Sequence, residues 1–425
     1  MSTDVHRAAR ILLLLPTQTY RAPDFLKAAR RLDVEVAVAS EEKNVLESQN
    51  PAGYLELDFE DLELCSRVVR AFSKKYPLDA VLGMDDSTMV AAAAISRVLG
   101  LKSNSVASVQ ACRDKHLMRK RLQRQGLPIP AFRLFSITAD PYEVSSKVHY
   151  PCVLKPTRLS ASQGVIRTDD PDNFVRAWKR LKKIIQSVKT SPEVLVEAFT
   201  PGKEVALEGI IEDGRLRVLV LFDKPDPLDG PFFEETIYLR PSQLSARIQK
   251  QIHACASQAV LALSLCTGPV HAELRVSEHG PVMIEVAARP IGGRCSRALQ
   301  MGSGISLEEL ILRQALGMQT RNIAPDPTPS GVMMIPVPGA GNLRRVVGME
   351  EVRQVACIEE VLITAHPGQE IVPLPEGSRY LGFIFARADT QREVDQALRK
   401  AQSLLTFEID SSRVKLPLAI SRSCG

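Results

Sequence analysis

The chain has 425 residues, 45% of them hydrophobic and 24% charged, with 24 Gly and 28 Pro. Those proportions exclude a disordered, collagen-like or fibrous protein, and the length accommodates roughly two to four domains with cores of their own. A balance of 54 Lys+Arg against 49 Asp+Glu gives only +5, and aromatic residues make up 5%, so a nucleic-acid partner is not expected.

The eight cysteines, at 65, 112, 152, 255, 266, 295, 357 and 424, form no CxxC pair. Scattered reduced thiols are the expectation, rather than a zinc site or a disulfide framework. No apolar stretch nears the roughly 18 residues of a membrane span. The run 11–15 ends at Pro16 and reads as a first buried strand, so no membrane association and a cytoplasmic location are expected.

Residues 11–105 alternate strands (11–15, 34–39, 80–83) with helices (24–32, 61–75, 88–99), the rhythm of a doubly wound parallel sheet. No GxGxxG follows the first strand, where Pro16-Thr17-Gln18-Thr19-Tyr20 stands, so a dinucleotide site is not supported. A basic helix is predicted over 113–125, then strands at 152–155 and 194–197 around a helix at 172–189. Strands dominate 204–238, followed by a helix over 243–263, a hairpin over 270–287 and a helix over 308–316. The segment Ala324-Pro325-Asp326-Pro327-Thr328-Pro329-Ser330 reads as a linker. A last unit of strands with a helix at 391–405 follows it.

The hairpin carries the chemistry. A three-residue loop, Glu278-His279-Gly280, puts glycine where φ is positive and pairs Ala272 with Val286, Leu274 with Ile284 and Val276 with Val282 on one apolar face. The same register sets Glu273 across from Glu285. Opposed carboxylates repel unless a cation relieves them. One reading is a solvated face neutralised by Arg275 and Arg289; the other is a Mg²⁺ clamp completed by substrate phosphates. Four residues past Glu285, Arg289 precedes Pro290-Ile291-Gly292-Gly293-Arg294, within reach of a phosphoryl group or an oxyanion.

With these residues, the sequence over about 80–320 resembles the ATP-grasp superfamily of carboxylate–amine ligases. The resemblance implies an α/β architecture: a Rossmann-like N-terminal domain (1–105), an ATP-grasp fold of two α+β subdomains (106–325, lid about 132–197) and a small α+β C-terminal domain (331–425). It places Lys115 and Lys155 as the phosphate-binding lysines, and Ser160-Ala161-Ser162-Gln163-Gly164-Val165 as the loop over the β- and γ-phosphates. Glu197, Ala198 and Phe199 match the adenine hinge, with the Glu197 carboxylate reading the base edge. Glu204 matches the ribose-binding glutamate, and Glu273 and Glu285 the metal-binding acids. Implied cofactors are ATP and Mg²⁺, with Mn²⁺ as a substitute; Arg289 and Lys155 are the catalytic candidates.

Many members of the family read Glu-x-Asn-x-Arg where this chain has Glu285-Val286-Ala287-Ala288-Arg289, which leaves the metal count open. The Glu-x-Ala-Ala-Arg run and the C-terminal unit are similar to L-amino acid ligases, which make dipeptides. That likeness implies small-molecule carboxylate and amine substrates, an acyl-phosphate intermediate, release of ADP and phosphate, and a homodimer. The Pro- and Gly-rich segment 222–236 is expected at the substrate pocket with Glu234 or Glu235 facing an α-amino group, or else as a surface loop. His271, Gly292, Gly293 and Arg294 are further substrate candidates. Other ATP-grasp activities (biotin-carboxylase-like, purine-biosynthetic, or ligation of another acid) and an inactive nucleotide-binding module are the alternatives.

Overall fold

A computed structural model describes residues 7–17, 19–42 and 52–410. Near the N-terminus, strands Tyr54–Glu56, Glu35–Ser40, Arg10–Leu14 and Ala80–Gly83 lie in that order as a parallel sheet. Leu12 and Leu14 bury on one face against helices Leu62–Lys75 and Asp86–Leu99; Ile11 and Leu13 bury on the other beside Phe25 of helix Ala22–Arg31. Two covered faces explain why these strands read as continuous apolar runs. Gly100 closes the helix Asp86–Leu99 at φ 71°, a left-handed turn that glycine adopts without strain.

The predicted basic helix runs Lys115–Arg124, and a separate helix, Val106–Arg113, precedes it. Asp114 causes the break, because its carboxylate accepts from the amides of His116 and Leu117 at 3.0 and 3.1 Å and so caps the second helix. The next unit is a four-stranded antiparallel sheet in the order Phe132–Ser136, Glu193–Ala198, Cys152–Pro156, Ile166–Thr168. Helix Pro171–Ser187 packs on it through Phe174, Trp178 and Leu181.

The largest sheet has eight strands, beginning Gly280–Ala287, Gly268–Ser277, Lys203–Glu212, Arg215–Asp223, Ile237–Arg240. It continues through Ser330–Ile335, Gly382–Arg387 and Ile358–Ile363, which follow the proline-rich stretch. That stretch is therefore packed rather than a free tether. The Gly302 amide donates to the Ala324 carbonyl at 2.8 Å, and the buried Arg240 donates to the carbonyls of Asp326 and Ala298. A three-stranded sheet (Gly341–Val347, Glu370–Ile371, Thr406–Asp410) and helix Gln391–Leu404 complete the described C-terminal part.

Seven cysteines are free thiols, and Cys424 lies outside the described residues. No described helix is long and apolar enough to cross a membrane.

Candidate active site

A cleft of about 890 Å³ opens where the N-terminal unit, the four-stranded unit, the eight-stranded sheet and the C-terminal part meet. Lys115, Lys155, Ser160, Ser162, Glu197, Ala198, Phe199, Glu204, Glu235, His271, Glu273, Glu285, Arg289, Gly292 and Gly293 all line it. Gly164, Glu234 and Arg294 do not. Gly164, within the 160–165 loop, has φ 73°, and a Cβ there would come within 2.9 Å of Leu181. Glu234 accepts from the Val337 amide, and Arg294 lies 5.7 Å from the Tyr20 ring centre with Asp24 at 3.9 Å.

The hairpin departs from its expected register near the turn. Ser277 pairs with Gly280, leaving a two-residue loop, and Leu274 faces Met283 rather than Ile284. Gly280 at φ 113° and the Ser277 hydroxyl, donating to the Gly280 carbonyl, make this tighter turn possible. A bulge next to Glu273 absorbs the one-residue offset, so Glu273 still stands opposite Glu285. Met283 becomes fully buried, Ile284 turns to the cleft, and the Ile284 carbonyl accepts from Arg119 at 2.7 Å.

Lys115, in the first turn after the Asp114 cap, donates to the Leu159 carbonyl at 2.7 Å and lies 3.7 Å from Glu285. It thereby ties Glu285 to the start of the 160–165 loop. Ala161 and Ser162 hold positive φ angles of 52° and 56°, strain of the kind that persists at ligand-binding loops. The loop is fastened to the C-terminal part: the Gly164 amide donates to the Pro375 carbonyl at 2.9 Å, and Gln163 donates to that of Glu376 at 2.7 Å.

The carboxylate of Glu197 does not face the cleft as a base reader. It is 1% exposed, with one oxygen 2.6 Å from Arg119 Nε and the other 2.7 Å from Lys155 Nζ. Burial alone would raise its pKa, but the two cations win and hold it at about 2. Glu197 thus aims Lys155. Replacing it with glutamine should destabilise the fold by about 3–5 kcal/mol, because two buried cations lose their counter-charge. The carboxylate's folded pKa lies below the ordinary 4.5, so its contribution is full above that pH and is lost as pH falls toward 2. Thermal melts of Glu197→Gln and wild type from pH 7 down to 3 should show the gap narrowing; a constant gap would contradict the assignment.

Glu204 is likewise engaged at both oxygens, by Lys224 at 2.8 Å and Arg275 at 2.9 Å, rather than presented freely to a ribose. Arg275, which one of the two readings put on a solvated face, is 3% exposed and donates to the Thr200 carbonyl at 2.6 Å. No pattern in the sequence singled out Lys224. Its ammonium lies 2.8, 2.6 and 3.0 Å from Glu204, Glu235 and Glu273. Those three carboxylates lie within 4.8 Å of one another, close enough to hold a cation, and Lys224 supplies one. Burial by itself would lower the Lys224 pKa; the three acids keep it well above its ordinary value. Burial raises Glu235 to about 6 against the pull of Lys224, and its carboxylate also accepts from the Tyr238 hydroxyl at 2.7 Å. His271 spans Glu208 and Glu273 at 3.3 and 3.5 Å; burial alone would depress its pKa, but these acids lift it to about 9.

The Lys224 and His271 contacts on Glu273 both fall on Oε1, and the Glu285 carboxylate stands opposite it across the hairpin, which sets hard oxygen donors side by side. That donor set fits Mg²⁺. Arg289 pairs with Asp86 at 2.8 Å and donates from Nη1 to the Pro290 carbonyl at 3.0 Å. Burial alone would raise the Asp86 pKa, but the guanidinium holds the carboxyl below its usual range. Asp86 stands in the first turn of its helix about two hundred residues earlier, and no local motif marked it.

The sheet arrangement, with a lysine pair beside a small-residue loop and opposed hairpin acids on one cleft, is that of an ATP-grasp fold. The sequence matches the ATP-grasp N-terminal domain over 26–102, the ATP-grasp domain over 148–298 and the L-amino acid ligase C-terminal domain 2 over 333–410. The chain thus carries an ATP-grasp domain, and it is similar to L-amino acid ligases. The crystal structure of an L-amino acid ligase from Bacillus licheniformis superposes with a TM-score of 0.78 at 28% identity, over 95% of this chain and 99% of that one. An uncharacterised protein, y4rH, of Sinorhizobium fredii is 21% identical over 96% of this chain and 85% of its own length. An alanine–anticapsin ligase of Bacillus subtilis is 24% identical over 59% of this chain, which spans 56% of that enzyme.

Proposed function

We propose that this protein joins two small molecules, an acid and an amine, both L-amino acids, with release of ADP and phosphate. The gathering of Lys115, Lys155, the 160–163 loop, Glu273, Glu285 and Arg289 on one cleft carries the reading. Relatives named for joining amino acids support the substrate class.

A carboxylate oxygen of the acid attacks the γ-phosphorus of ATP, and the bond to the bridging oxygen breaks to release ADP. The amine nitrogen then attacks the acyl carbon of the acyl phosphate, loses a proton, and expels phosphate. Lys155, aimed by Glu197, and Lys115, anchored on Leu159, hold the phosphates during transfer. Arg289 stabilises charge on the transferred group and on the acyl oxygen. Glu273 and Glu285 would hold Mg²⁺, which neutralises developing phosphate charge when bound. The loop fastened to Pro375 and Glu376 covers the phosphates and keeps water from the acyl phosphate.

The test is chromatography of nucleotides after incubation with ATP, Mg²⁺ and amino acids offered singly and in pairs. ADP and phosphate in equal amounts, dependent on the amino acids, is the expected result. AMP as the stoichiometric product contradicts the reading.

A further inference from the structure

Past the Gly292-Gly293 turn, the cleft ends in a wall drawn from three distant parts of the chain. Tyr20 comes from the loop before the first helix, Cys295 from just beyond the hairpin, and Met334, Tyr380 and Phe383 from the C-terminal part. The Phe383 ring centre lies 6.4 Å from that of Tyr20 and 6.1 Å from that of Tyr380. The Tyr20 hydroxyl accepts from the Gly293 amide at 2.8 Å, and the guanidinium groups of Arg21 and Arg294 lie 5.5 and 5.7 Å from its ring centre. Cys295, Met334 and Phe383 are buried, which fixes the wall's shape.

Gly293 sits against that wall. Its φ is 58°, and a Cβ there would lie 2.7 Å from Met334 Sδ and 3.4 Å from Cys295 Sγ. The backbone therefore reaches the wall directly, and no side chain of the turn fills the space in front of it. Glu235 lines the same cleft as Cys295 and Tyr380, with its carboxylate accepting from the Tyr238 hydroxyl at 2.7 Å. An anionic carboxylate thus borders an aromatic and sulfur-lined recess four residues beyond Arg289.

We infer that this recess is the side-chain subsite for the acid substrate, and that it takes an L-amino acid with a large apolar side chain, of leucine, methionine or phenylalanine type. The inference rests on the ligase reading above. The substrate ammonium lies toward Glu235, its carboxylate toward Arg289, and its side chain against Tyr20, Met334, Tyr380 and Phe383. Flexible sulfur and edge-on aromatic surfaces suit such side chains, and each methylene left unburied in a pocket costs about 10-fold or more in discrimination.

Two measurements on the full chain test this and separate it from the ligase reading. Binding of glycine, alanine, leucine, phenylalanine and glutamate is titrated in the presence of ADP and Mg²⁺, and ADP release from ATP is measured with the same acids. Leucine or phenylalanine should bind at least about 10-fold more tightly than alanine and give at least about 100-fold higher kcat/KM. Tyr380→Ala, at a partly exposed position that folding tolerates, should reduce the leucine-over-alanine preference at least about tenfold. Equal binding across the size series, or a preference for glutamate, overturns the subsite even if ADP is released. Tight leucine binding with no ADP release from any pair supports the subsite and overturns the ligase reading.

Discussion

Replacing Arg289 with lysine should lower kcat on the order of 10²-fold, with KM for ATP little changed, the size of effect expected for loss of one transition-state donor. The structure explains why charge alone does not suffice. Nε of Arg289 is committed to Asp86 and Nη1 to the Pro290 carbonyl, which holds the planar fork in one orientation facing the cleft. Lysine has one nitrogen, so pairing with Asp86 withdraws it from substrate. If Arg289 served only to neutralise its neighbours, Arg289→Lys would keep near-wild-type kcat, and Arg289→Met would lose thermal stability and ATP affinity together. Asp86→Asn gives a second view. It should lower kcat less than the lysine change, because the fork remains but loses its orienting anion. Steady-state kinetics and melting temperatures on the three variants decide the matter.

Glu285→Gln should abolish measurable turnover and raise the Mg²⁺ concentration needed for nucleotide binding. That cost should be at least the roughly 10–100-fold that loss of an outer metal-site partner incurs. The fold should survive, because Glu285 is 25% exposed at its side chain and Lys115 keeps its bond to the Leu159 carbonyl. Glu273→Gln is expected to perturb more than the metal, since Lys224 and His271 both lean on the same oxygen. The pair therefore separates a metal ligand from a ligand that also braces a buried charge cluster. Unchanged Mg²⁺ dependence in Glu285→Gln, measured by titration with a fluorescent nucleotide, would show that the metal is held elsewhere.

The sequence showed most clearly those features that are local or strictly ordered. Alternating apolar runs betrayed the parallel sheet, because strands buried on both faces have no polar alternation to hide them. The hairpin acids were legible because strand parity fixes which side chains share a face, and the bulge preserved their pairing although it shifted Leu274 and Val276. Lys115 and Lys155 stood out only through their order among other features. What stayed hidden depends on contacts between distant segments. Asp86 supports Arg289 from another unit, and Tyr20, Met334 and Phe383 meet only after folding. Lys224 lay in a Pro- and Gly-rich segment where nothing local announced three acids around one ammonium. The engagement of the Glu197 carboxylate was likewise hidden, because a basic helix distant in sequence reaches it through Arg119.

Isotope transfer tests the central claim most directly. The amino acid that best promotes ADP release is labelled with ¹⁸O in both carboxylate oxygens and incubated with ATP, Mg²⁺ and its amine partner. Mass spectrometry is then applied to the released phosphate. Attack of the carboxylate on the γ-phosphorus places one labelled oxygen in each phosphate formed, and the account predicts that result. Turnover that yields unlabelled phosphate would contradict it.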